Sequence, residues 1–148
     1  MAVVHREALR VLRPVLEEAH LDAYSDGPWP PEVLPSYQRA LSLAREAVAD
    51  GTRARRSDPG MGIDIDVRDD EQFAVLSALL PYTIHAEGRR GSEQVFGAGD
   101  SGTSLWFVVT REQEAQLLSR LEAQRIASTA LAVLPAKGRR AGALRRPG

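Results

Sequence analysis

The chain has no cysteine. Disulfides, thiolate metal sites and a cysteine nucleophile are therefore excluded, and a reducing, cytoplasmic setting is the expectation. Lysine is nearly missing too. Lys137 stands alone against 18 arginines, so no phosphate loop ending in Gly-Lys can be written. That skew is what a GC-rich, bacterial coding sequence would give. Aromatic residues are only 5% of the chain, and the apolar runs are a few residues each, far short of the ~20 that cross a bilayer. The opening Met1-Ala2-Val3-Val4-His5 lacks the charged-then-apolar order of a secretion leader. His5, His20 and His85 fall in no two-histidine zinc spacing. No metal, cofactor or membrane is expected.

Charge is unevenly spread. Residues 1–52 hold five arginines against eight carboxylates, and residues 53–136 hold nine against twelve. Residues 137–148 reverse this with Lys137, Arg139, Arg140, Arg145 and Arg146. An acidic body is a poor match for a phosphate backbone. Nucleic acid is expected at most through the basic tail, which reads as disordered.

Periodicity supplies the rest. Leu9, Leu12, Val15, Leu16 and Ala19 form a helical stripe over 5–20, interrupted or restarted at Pro14. Tyr37, Leu41, Ala44 and Val48 form a second over about 36–50, stopped by Gly51. The two predict a helical hairpin over residues 1–50. Residues 51–62 are rich in breakers and predict a linker. Ile63-Asp64-Ile65-Asp66-Val67 alternates strictly, as a half-buried strand does. Helices are predicted to open at Asp69 and at Thr110, each followed three residues later by glutamine. Thr83–Glu87, Ser92–Phe96, Leu105–Val109 and Ile126–Leu134 complete a strand pattern, with a turn over Gly97–Gly102. The motif E-Q-x-A-x-L recurs at Glu71 and Glu112. The fold expected for 63–136 is an α+β core, a ferredoxin-like β-α-β-β-α-β four-stranded antiparallel sheet.

Alternation then divides the sheet. Ile63, Ile65, Val67, Leu105, Phe107 and Val109 are predicted to face the helices. Asp64, Asp66, His85, Glu87 and Trp106 are predicted to share the opposite face, with Ser104 and Val108. Asp64 and Asp66 read first as solvent-facing strand residues, and with other oxygens as a cation site. His85 with Glu87 reads as a surface pair or an acid–base pair. Trp106 is either covered by the helical hairpin or an exposed anchor. RNA stacking on this face is disfavoured, because carboxylates stand where rings would be needed.

Two motifs are refused. Gly97-Ala98-Gly99-Asp100-Ser101-Gly102 spells a dinucleotide fingerprint, but a strand follows it where a helix is required. Gly99-Asp100-Ser101-Gly102 resembles the tetrapeptide around the nucleophile of trypsin-like serine proteases. The resemblance covers four residues, and the chain is too short for two β-barrels. With no catalytic constellation, the expected role is an interaction or regulatory module that binds a protein partner, or dimerises, through the open sheet face. The alternative is a small-molecule-binding protein or small enzyme, with a pocket between hairpin and sheet lined by the same five residues.

Overall fold

Pro14 decides the first turn of the chain. It lacks the N–H that a continuing helix would need, and in the computed structural model, which describes residues 1–133, helix α1 stops at Leu12 (Ala2–Leu12). A 3-10 turn over Arg13–Val15 follows, and then strand β1 (Glu18–Leu21). The remaining elements are α2 (Leu34–Ala49), β2 (Ile63–Ile65), α3 (Asp70–Leu79), β3 (His85–Arg90), β4 (Glu93–Gly99), β5 (Ser104–Phe107) and α4 (Arg111–Ala123). The protein is α+β. No described helix is long and apolar enough to cross a membrane.

All strand pairs are antiparallel, in the order β2-β1-β3-β4-β5. The expected four-stranded ferredoxin-like arrangement is not found. The sheet has five strands, and three of them (β3, β4, β5) run consecutively between α3 and α4. The N-terminal helices do not form the expected hairpin either. β1 separates them and inserts between β2 and β3. The expected strand over 126–134 is replaced, as far as it is described, by a 3-10 turn at Ser128–Ala130. Ile126 and Leu131 instead pack on the α1–α4 contact. The basic tail lies outside the described residues.

The helices cover one face. Ala19, Leu21, Ile63, Ile65, Ala86, Phe96 and Ala98 are buried there, against Leu9 and Leu12 of α1, Leu43 of α2 and Leu76 and Leu79 of α3. A bulge opposite Gly88–Arg89 turns both Val95 and Phe96 into this core, as an extra residue on one strand allows. A second cluster joins Val4, Ala8 and Val11 of α1 to Leu117 and Leu121 of α4.

The helix caps come from local chemistry. Thr110 Oγ accepts the Gln113 N–H while Gln113 accepts the Thr110 N–H, a reciprocal capping box. Asp69 caps α3 in the same way, but Gln72 reaches past it and accepts the Asp66 N–H. The 51–62 segment is tied down as a loop. Arg53 donates to the carbonyls of Asp58, Met61 and Gly62, and Asp58 accepts from Tyr24 and from the Gly60 N–H.

One buried group carries a pH dependence. His5 is fully buried on α1, its Nδ1 lies 3.0 Å from the Met1 carbonyl oxygen, and Nε2 has no partner among the described residues. Burial lowers its pKa from the usual 6.5, and the Met1 hydrogen bond opposes that only in part. The unfolded chain therefore takes up this proton first as pH falls. The contribution is fully present above the unfolded value and is lost as pH drops through it toward the folded one. Thermal unfolding should show a lower midpoint at pH 5 than at pH 7.5. His5→Leu should reduce that difference, and an unchanged difference would refute the assignment.

Candidate functional site

The face turned away from the helices is built by register. Asp64 lies opposite His20, His20 opposite Glu87, Glu87 opposite Gly97, and Gly97 opposite Trp106. Side chains that pair across antiparallel strands share a face. One transverse row thus runs over all five strands: Asp64, His20, Glu87, the bare backbone of Gly97, and Trp106. His85 lies along β3 beside the row, and Arg89 and Gln94 lie on its other side.

Trp106 bends inward over the glycine. A methyl group at Gly97 would come within 2.6 Å of the indole Nε1 and 2.8 Å of Cε2. The ring thus fills the space that any other residue would take, which explains a glycine in a central strand. Trp106 still keeps 39% of its surface exposed. No described helix covers it, and the hairpin expected to do so does not form.

At the other end, His20 Nδ1 is 2.7 Å from Asp64 Oδ1. The two side chains form an ion pair whenever the imidazole carries its second proton. Between these ends Glu87 is the most enclosed group of the row, with 19% of its side chain exposed. It accepts from Arg89 Nε at 3.2 Å and from Gln94 Nε2 at 3.1 Å. His85 Nε2 lies 3.9 Å from Glu87 Oε2, beyond hydrogen-bond reach.

Of the five residues singled out from sequence, Asp64, Glu87 and Trp106 stand in one row and His85 beside it. Asp66 is not among them. β2 ends at Ile65, and Asp66 folds into the turn before α3, where Oδ1 accepts the Arg68 N–H. His20 joins the row as well, although the helical stripe over 5–20 predicts helix there. The alternation of Glu18-Ala19-His20-Leu21, exposed, buried, half-buried, buried, was the signal for the strand.

These residues line no pocket between helices and sheet, since they stand on the far side of the sheet. The void beneath α1, bordered by His5, Leu9, Leu12, Phe96 and Phe107, has no room for a water molecule. Among the described residues no three of His, Cys, Asp or Glu are grouped to hold a metal ion. The refused motifs have structural roles. Gly97 and Gly99 lie in β4, and Ser101 Oγ bridges to Asp26, donating to Oδ2 at 3.0 Å and accepting its N–H at 2.9 Å. The chain matches no protein-family model, no curated protein and no solved structure.

Proposed function

We propose that this protein is a docking module that seats a basic segment of a protein partner on the open face of its sheet, with Trp106 as anchor. The observation that carries this reading is the partly exposed indole packed over Gly97 and ending a row that holds Glu87, His20 and Asp64. Tryptophan is over-represented among the residues that dominate binding energy. An exposed indole suits a guanidinium or ammonium group, which it attracts through the ring quadrupole, and the carboxylates of Glu87 and Asp64 stand further along the same row. The surface is flat and open, as protein–protein contacts are. Small-molecule sites are usually concave.

The test compares wild type with Trp106→Ala in capture from a cell lysate, followed by identification of what is retained. A basic protein held by wild type should be lost or weakened by about 30-fold in the variant, the scale of an interface hot spot. Retention should also fall as salt is raised. Identical capture by both chains, with the variant folded, would end this reading.

A second reading, a small-ligand site or small enzyme, has one observation in its favour. The His20 imidazole stands 2.7 Å from the Asp64 carboxylate on the open face, and a histidine beside a carboxylate is a pair that acid–base chemistry can use. Its place differs from the sequence expectation, which put it between the helical hairpin and the sheet. A small molecule whose binding raises the melting temperature of wild type but not of His20→Ala would favour it.

A further inference from the structure

The outer edge of β5 borders the open face at Trp106 and offers main-chain groups that the face does not. The Val108 N–H donates to the Val95 carbonyl at 2.8 Å, and Trp106 and Ser104 pair with Gly97 and Gly99. Main-chain groups alternate sides along a strand. Those of Leu105 and Phe107 therefore point away from β4, where no described strand pairs with them.

The two edges of the sheet are treated differently by the sequence. β2 is three residues long, carries exposed Asp64 and runs straight into the Asp66 turn. Shortness and charge are how proteins usually protect an edge. The β5 edge, four residues long, has no charge. From Gly102 to Thr110 there is no charged residue and no proline. Trp106 and Val108, both on the open face, are 39% and 49% exposed.

We propose that two copies of this chain pair antiparallel through their β5 edges, about a two-fold axis at Trp106. In that register each Leu105 meets Phe107 of the second copy, and the two outward residues of each chain exchange their N–H and C=O groups in four hydrogen bonds. The two Trp106 residues face each other in the closer, non-hydrogen-bonded pair, where aromatic side chains interact best. Ser104 lies opposite Val108. Shifting the axis to Leu105 would require Thr103, which is helical (φ −88, ψ −20) and already donates to the Asp100 carbonyl. Shifting it to Phe107 would require Val109, beyond the end of the strand. A neutral edge meets its own copy without like-charge repulsion. The product is a continuous ten-stranded sheet whose open faces lie side by side. The pairing does not depend on the open face binding anything.

Sedimentation of the full chain from about 10 µM to about 1 mM, the range for a small interface, should show mass rising from one chain to two. Trp106→Glu and Trp106→Lys place like charges opposite each other and should each stay at one chain. Mixed in equal amounts, they should recover two. Amide exchange on wild type provides a readout that needs no variant. Leu105 and Phe107 should slow by about tenfold or more with rising concentration, while Trp106 and Val108, already bonded to β4, should not change. A wild-type chain that stays at one chain's mass throughout overturns the proposal. So does a dimer in which the Leu105 and Phe107 amides exchange as fast as in dilute solution.

Discussion

Gly102→Ala should lower unfolding stability by about 3 kcal/mol or more, combining left-handed strain with overpacking. Gly102 has φ +90, and a Cβ there would meet the Pro81 carbonyl oxygen at 2.0 Å. That oxygen is main chain in the turn just after α3 and cannot swing aside as a side chain would. The β4–β5 connection is already unusual, with Asp100 and Ser101 both at φ 51, so it has little slack to absorb a shift. Gly91→Ala is the control. Gly91 also has positive φ (+56) but open space around it. It should cost only the conformational strain, about 1–2 kcal/mol. Urea unfolding of both variants separates the two contributions. Equal losses would mean that Pro81 yields.

The second large effect concerns a buried carboxylate. Glu7 of α1 keeps only 5% of its side chain exposed, and it holds Arg10 at 2.7 Å and Arg120 of α4 at 3.0 Å. Both arginines are about half exposed. Removing them together, as Arg10→Ala with Arg120→Ala, strands a charge with no partner and should cost about 3 kcal/mol. Glu7→Leu removes the charge instead and returns both guanidinium groups to water. It should cost about 1 kcal/mol or less, since an apolar group can replace a buried ion at little loss. Chemical denaturation of the two variants should rank them in that order. The reverse order would show that the contact acts through packing and not through charge.

What could be read in the sequence was what local rules decide. β2, α3, β5 and α4 follow from alternation and from caps whose partners sit three residues away. The assignment of Asp64, Glu87 and Trp106 to one face follows from strand alternation alone. β1 was hidden because Leu12, Val15, Leu16 and Ala19 fit a helical stripe as well as a strand following a Pro14 break. Only the pairing with Ile63–Ile65 and with Ala86–Arg89 decides between them. With β1 went His20. The end of β4, beyond the expected Ser92–Phe96, is hidden for a different reason. Its glycines look like a turn until partners from neighbouring elements are placed over them. Trp106 covers Gly97 from outside, and the Ile84 carbonyl oxygen would lie 2.9 Å from a Cβ at Gly99. Asp66 was misplaced by one residue of strand length, which is the least determined quantity in a pattern of this kind.

The insertion of β1 between β2 and β3 has a consequence for how the chain is made. On the ribosome Glu18–Leu21 emerges before either of the strands that flank it. Ala19 and Leu21, both buried in the finished protein, must wait uncovered while α2, the 51–62 loop and α3 are synthesised. Because loops must close before distant strands can pair, assembly of this sheet belongs late in folding. A fragment begun at residue 51 would leave β2 with no neighbour to bond to, and should accumulate as insoluble material.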